Sequence, residues 1–328
     1  MSRFQLNTLR AMLLMSIGSY WPYTWSQDKY PYQPINLIVG SPPGGASDTN
    51  ARILAEPLSE ALKQSVIIQN KPGLGGAVGT AQIAKARPDG YTIGVAISSV
   101  VVHPEAEKIS GKKPLYELDQ LEPIALISSD PMILVVRSDS PWKNLADLLK
   151  DAQKNPGKIN YASTGVYGPV HLLAEMITHQ TGAKFTQIPY SGGGPALMAL
   201  LGASSDFTMI SPGAALAQMA SGKIRALSTS SNGRNPYFPD VPSYQESGVE
   251  ASYTIWIGVY GPKDIAPSTL QVLRQGLRQA TQSTTFLNAM QKQHIAMDYR
   301  DALEFKKFAD EDGKRMVNLI RNIGKIEE

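Results

Sequence analysis

Short apolar, β-branched runs alternate with segments of helical periodicity almost from end to end of this 328-residue chain, and that alternation predicts an α/β fold with mostly parallel sheets flanked by helices. Two further observations shape the expectation. Glycine- and serine-rich turns recur where the strand-like runs end. The alternation restarts at "MILVVRSDS" after "LEPIALISSDP", and a Pro-, Gly- and Ser-rich passage, "SNGRNPYFPDVPSYQESGVEAS", precedes one long strand and purely helical sequence to the C-terminus. A chain that leaves one domain and returns in this way builds two sheets joined by a two-segment hinge.

Nine strands are expected, at "INLIVG", "SVIIQN", "YTIGVAI", "MILVVR", "INYAST", "FTQIPY", "DFTMIS", "IRALSTS" and "YTIWIGVYG". The turn after the first, "SPPGGASDTNAR", opens a helix in which Ala51, Leu54, Leu58 and Leu62 recur at three- and four-residue spacing, a stripe that faces a core. Pro57 is expected to kink that helix. Within the same turn Gly44, Gly45, Ala46 and Ser47 carry almost no side chain. Their N–H groups lie at the positive end of the helix, where an anion binds well. A turn of this kind also arises simply to connect strand to helix.

Four later stretches repeat the pattern. "NKPGLGGAVG" loosely matches a dinucleotide fingerprint but lacks an acidic residue closing a second strand; Asp89 falls in the turn "RPDGY" instead. "YASTGVYGPVHLLAE" places Ser163, Thr164, Gly165 and Gly168 before a helix. "IPYSGGGPALMALL" places Tyr190, Ser191, Gly192, Gly193 and Gly194 before another, with Pro195 suited to its first helical position. "MISPGAAL" adds Ser211 and Gly213. Each alone reads as a turn; together they put the same chemistry at the carboxyl ends of several strands, where open α/β sheets bind ligands.

Composition narrows the alternatives. With 42% hydrophobic and 18% charged residues the chain is an ordinary globular one, long enough for two domains. Arg3 and Arg10 precede the apolar run "AMLLMSIGSYW", with Thr24 and Ser26 permitting cleavage before Gln27, so residues 1–26 are expected to be a signal peptide and the mature chain to be exported. That segment carries two arginines and no acids, so its removal takes the formal charge from +3 down by two to +1, and no nucleic-acid surface is indicated. Zero cysteines exclude disulfides, thiol catalysis and a lipidated N-terminal cysteine.

Enzyme signatures are missing: there is no G-x-S-x-G elbow, no phosphate loop and no H-E-x-x-H. Of the four histidines, His171 and His179 flank Glu175 at i, i+4 and i+8, a spacing that suits either a metal on one helix face or an ordinary polar face. Neither a cofactor nor a metal is expected. Tyr167, Tyr190 and Trp256 suit stacking on an aromatic acid or packing beneath the cleft equally well.

The motifs "PPGGASDTNAR", "NKPGLGGAVG", "RPDGYT", "NPGKINYASTGVYGPVHLLAE", "IPYSGGGPALMALLG", "GKIRALSTSS", "PDVPSYQESG" and "YTIWIGVYGP" in series resemble the substrate-binding proteins of tripartite tricarboxylate transporters, the Bug receptors. The resemblance implies a two-lobed Venus-flytrap periplasmic-binding-protein fold of type II. Lobe 1 would be residues 27–128 and 253–328, and lobe 2 residues 129–252. It implies a monomeric receptor for a small carboxylate that delivers to two membrane subunits. The residues carried over as ligand-binding are Gly44, Gly45, Ala46, Ser47, Asp48 and Ser98 on the first lobe, facing Thr164, Gly165, Tyr190, Ser191, Gly192 and Gly193 on the second. Asp48 is expected to stiffen the first turn by pairing with Arg52. Pro169, Leu74 and "GASSDFTMISPG" depart from the family pattern. The alternatives are a metal-dependent hydrolase using His171, Glu175 and His179, and a ligand sensor that signals to a partner other than a transporter.

Overall fold

The computed structural model describes residues 29–324 except Asn232; the expected signal peptide and its cleavage position lie outside the described residues. Two mixed sheets divide the chain. The first holds β1 (Ile35–Val39), β2 (Val66–Asn70), β3 (Thr92–Ile97), β4 (Leu121–Pro131), β10 (Thr254–Pro262) and β11 (Met297–Asp301), in the order β11-β4-β10-β3-β1-β2. The second holds β5 (Ile133–Arg137), β6 (Asn160–Ser163), β7 (Thr186–Pro189), β8 (Phe207–Ile210) and β9 (Ile224–Thr229), in the order β7-β6-β8-β5-β9.

All nine expected strands form. The parallel pairs β1/β2, β1/β3, β6/β7 and β6/β8 are those whose strands lead into crossover helices. The strands that carry the chain between lobes, β4, β5 and β10, pair antiparallel with their neighbours. Two strands escape sequence reading. β4 is bounded by Pro123 and Pro131, residues that argue against a central strand, yet its middle, Ile124 to Ser128, is fully buried. β11, "MDYRD", has no apolar alternation and replaces the helix expected there; its pairing to β4 comes from tertiary context.

Helices cover both faces of each sheet. Over the first sheet, α1 (Ala46–Leu62) packs with α8 (Pro267–Gln282) and α9 (Thr284–Lys292), burying Leu54, Leu58, Leu273, Leu277 and Phe286 in one cluster. Each such side chain is worth about 1.5–3 kcal/mol of burial. The expected stripe Ala51, Leu54, Leu58 and Leu62 is buried throughout, and α1 runs on past Pro57. The opposite face takes α2 (Ala77–Ala84) and α10 (Ala302–Ile323). On the second sheet α4 (Leu145–Lys154) and α5 (Pro169–Thr181) lie on one side, α6 (Gly193–Leu201) and α7 (Pro212–Ala220) on the other. The short α3 (His103–Ile109) follows β3. Among the described residues no helix is long and apolar enough to cross a membrane.

The chain crosses between sheets at Met132 and again over residues 230–253. Ser230 stitches the crossings together. Its N–H donates to the Met132 carbonyl (2.9 Å), its Oγ accepts from the Met132 N–H (2.8 Å) and donates to the Tyr253 carbonyl, and its carbonyl accepts from the Tyr253 N–H (3.0 Å). Ser230 is fully buried. Removing its hydroxyl leaves a buried donor and a buried acceptor unpaired, so Ser230→Ala is expected to cost about 1–3 kcal/mol, read as a lower midpoint in denaturant titration.

Candidate functional site

The lobes are closed on a cavity of about 110 Å3 whose wall includes Gly40, Ser41, Gly44 to Ser47, Gly75, Gly76 and Ile97 from the first lobe, with Thr164, Pro169, Ser191 to Gly194, Leu197 and Met209 to Ser211 from the second. Met132 and Ile255, next to the crossings, close it from behind. Among the described residues no ionisable side chain lines it.

Five helices begin on this wall. Their N-caps are Gly45 (α1), Gly76 (α2), Gly168 (α5), Gly192 (α6) and Ser211 (α7), and none makes a side-chain capping bond. Away from the cavity, α4 and α9 are capped by Asn144 and Ser283 accepting from the Asp147 and Phe286 N–H groups. Uncapped starts occur elsewhere too, as at α8; the convergence of five is the distinguishing feature. The starts of α1, α5, α6 and α7 leave backbone donors without intrahelical partners at the positive end of a helix dipole, whereas at α2 the Ala77 and Val78 N–H groups turn back to the Leu74 and Gly73 carbonyls.

The donors are not those the glycine pattern suggests. The Gly44 N–H is spent on Asp48 Oδ2 (2.9 Å) and the Gly45 N–H on the Pro42 carbonyl (3.2 Å). The first helical bond of α1 runs from Thr49 to Gly45, so the open N–H groups are those of Ala46, Ser47 and Asp48. The Ser47 hydroxyl is held by Ser41 Oγ at 2.7 Å. Across the cavity, Ala196 makes the first bond of α6, to Gly192, which leaves Gly193 and Gly194; Pro195 has no N–H to offer. Thr164 Oγ1 is buried and has no hydrogen-bond partner among the described residues.

Gly44, Gly45, Ala46, Ser47, Thr164, Ser191, Gly192 and Gly193 therefore share one cavity wall. Four other candidates do not line it. Asp48 is buried beneath the loop, its carboxylate taking Arg52 Nε (2.8 Å) and Nη2 (3.0 Å), Asn70 Nδ2 (2.8 Å) and Gly44 N–H. Burial pushes its pKa up, but the bonds from Arg52, Asn70 and Gly44 outweigh it and hold the carboxyl below its ordinary range. The expected pairing with Arg52 is present, and the role is to shape the loop from behind. Ser98 is turned away to Tyr253 OH (2.7 Å), because the residues after β3 tighten into a short helix and leave Ile97 at the wall. Tyr190 packs on Ala162, Ala196 and Ala199. Gly165 lies at the seam between lobes. A Cβ there would stand 2.8 Å from the Gly75 N, and its φ of +108° suits only glycine.

The other aromatic candidates are structural. Trp256 is fully buried, donates to Asp312 Oδ2 (2.8 Å) and packs on Phe305 and Phe308. Tyr167 bridges the lobes through its hydroxyl to Ser110 Oγ (3.1 Å). Of the metal alternative, His171 and Glu175 meet (Nε2 to Oε1, 3.8 Å), but His171 is buried with Nδ1 accepting the Tyr167 N–H (2.9 Å) and His179 is exposed, so the three do not form one site. Burial pushes the His171 pKa down to about 4. The ligand-binding candidates carried over from the resemblance leave out Gly40, Ser41, Gly76 and Gly194, all of which lie within quoted motifs. They also leave out Ile97, Met132, Leu197 and Ile255, ordinary apolar residues with no sequence signal for a site.

Comparison with known proteins agrees with this architecture. The sequence model for the tripartite tricarboxylate transporter family receptor matches residues 50–325. Protein BugT of Bordetella pertussis is 33% identical over 302 residues, covering 91% of this chain and 92% of BugT. The structure of the periplasmic binding protein BugD superposes with a TM-score of 0.85 at 30% identity, over 91% of this chain and 100% of BugD. MatC from Rhodopseudomonas palustris, solved with bound malate, shares the fold with a TM-score of 0.82 at 23% identity, over 88% of this chain and 99% of MatC. With a family match across most of the chain, two lobes closed on one cavity and helix starts converging there, this chain belongs to the tripartite tricarboxylate transporter family of receptors.

Proposed function

We propose that this chain is a periplasmic receptor that captures a small carboxylate between its lobes and delivers it to the membrane subunits of a tripartite transporter. The observation that carries the reading is the convergence of five uncapped helix starts on one cavity without a lysine or arginine. Neutral backbone donors hold an anion without requiring a charged side chain to be desolvated, and they release it again when the lobes part. The unpartnered Thr164 hydroxyl supplies one more donor. The malate in MatC belongs to that protein, and it is a ligand of the class proposed here.

A thermal-shift screen of mono-, di- and tricarboxylates with aromatic acids tests the capture step. Ligand at 100 times its Kd is expected to add about 2.7 kcal/mol of stability. Gly45→Val is expected to abolish that shift while the protein stays folded, since the new Cβ would lie 2.9 Å from Ser41 Oγ and displace the loop. A flat response to every acid would reject the reading. Delivery is tested separately, by receptor-dependent uptake of the bound acid into vesicles containing the two membrane subunits.

A further inference from the structure

A second cavity, of about 230 Å3, adjoins the first and shares Gly44, Ala46, Met132, Ser211, Ala214 and Ile255 with it. The two spaces form one binding volume. Its far wall holds Asp130, the sole ionisable side chain among the described residues lining either cavity. We propose that Asp130 is a specificity determinant that receives an ammonium group, so that the bound acid is a zwitterion with its carboxylate on the helix starts and its cationic nitrogen on Asp130. This rests on the carboxylate site proposed above.

The geometry around Asp130 leaves it available. Side chains two residues apart on a strand share a face. Ser128 Oγ on β4 donates to Asn50 Oδ1 (3.1 Å), so Asp130 stands on the same side, toward the wall that Asn50 helps build. Asp130 Oδ1 takes the Ala296 N–H at 2.7 Å, and Oδ2 has no hydrogen-bond partner among the described residues. Asn50 is held in place on both sides, its Nδ2 donating to the Ala46 carbonyl (3.0 Å) and its Oδ1 accepting from Ser128, and it makes no bond to Asp130. The charged groups on neighbouring segments are committed elsewhere. Arg234, on the outer groove that Asp130 also borders, pairs with Glu246 (2.9 Å), and Asp298 on β11 pairs with Arg300 (2.8 Å). His294 packs its ring on Tyr237.

Charge balance selects the ligand. A second carboxylate placed here would meet an acid whose neighbouring cation, Arg234, is already paired with Glu246, whereas an ammonium supplies the missing counter-charge. Burial lifts the Asp130 carboxyl to about 7, so the ionised form, which the ammonium needs, gains population as pH rises through that value. An aliphatic ammonium stays protonated across the same window.

Calorimetric titration of the full mature chain with four five-carbon acids tests this: valerate, glutarate, norvaline and δ-aminovalerate. One of the two amino acids is expected to bind about tenfold or more tighter than valerate and glutarate, the worth of a hydrogen bond to a charged group. That preference should strengthen as pH rises through about 7. Asp130→Asn, which keeps the shape and an acceptor for the Ala296 N–H, should erase both the preference and its pH dependence, bringing the amino acids to within about threefold of valerate measured on the same variant. Glutarate or valerate binding more tightly than both amino acids, or a preference that survives intact in Asp130→Asn, overturns the inference and leaves the carboxylate site standing. Failure of all four acids, with other carboxylates from the screen still binding, does the same. Failure of every carboxylate overturns the underlying site as well.

Discussion

Gly213→Val is expected to weaken ligand binding about 100-fold or more while leaving the unliganded protein folded, because the apparent affinity scales with the population of the closed, binding-competent state. Gly213 lies in the first turn of α7 on the second lobe, against the Gln293 carbonyl at the end of α9 on the first. A Cβ at this position would stand 2.1 Å from that carbonyl oxygen, an overlap that backbone on both sides cannot relieve. The contact is favourable as it stands, since the negative end of one helix meets the positive end of another. Within its own lobe the substitution is mild, because valine is the better helix former, and apo stability should stay within about 0.5 kcal/mol. Small-angle scattering of the variant with ligand should show an open molecule. Undiminished affinity would mean that binding does not bring Gly213 to Gln293.

Asp48→Ala is expected to lower stability by about 3 kcal/mol and to abolish ligand binding. The carboxylate is buried and takes four bonds, which tie the loop Ser41–Gly45, α1 and the end of β2 into one piece; Asn70 also donates to the Ser41 carbonyl (2.9 Å). Without it the Gly44 N–H loses its acceptor and the Asn70 amide one of its two, and the loop that aims the Ala46 and Ser47 N–H groups is released. Asp48→Asn keeps an acceptor but not the charge and should show a smaller loss of both. The pH dependence has a definite sign. A carboxyl held below its ordinary range in the folded state contributes stability above its unfolded pKa and loses it as pH falls through the folded value, so the wild type should weaken on acidification by a margin absent from Asp48→Ala. Chemical denaturation across that range measures the difference; identical acid sensitivity would remove Asp48 from this role.

Much of the site was legible because local chemistry specifies local shape. Glycine, serine and proline at the ends of β1, β6, β7 and β8 can do little except turn the chain into a helix, so the motifs located Gly44 to Ser47, Thr164 and Ser191 to Gly193 without any knowledge of what they face. Asp48 and Arg52 could be paired from their spacing alone. Ser98 and Tyr190 misled for the opposite reason. Each lies in a motif of the right composition, yet the direction of a side chain at the end of a strand depends on the turn that follows, and on what competes for its polar atom. Tyr253 wins Ser98, and the alanine cluster beneath α6 wins Tyr190.

By itself the amino-acid sequence determined the alternation of strands and helices, the bare turns and the family to which the chain belongs, since all three are encoded in contiguous residues. Only the tertiary structure decided that β4 and β11 are strands, that Ser98 turns away to Tyr253, and that Asp130, Met132 and Ile255 line the space between the lobes. Those outcomes depend on partners far away in the chain, such as Asp130 with Ala296, 166 residues on, and a partner at that distance leaves no periodicity and no motif in the segment that meets it.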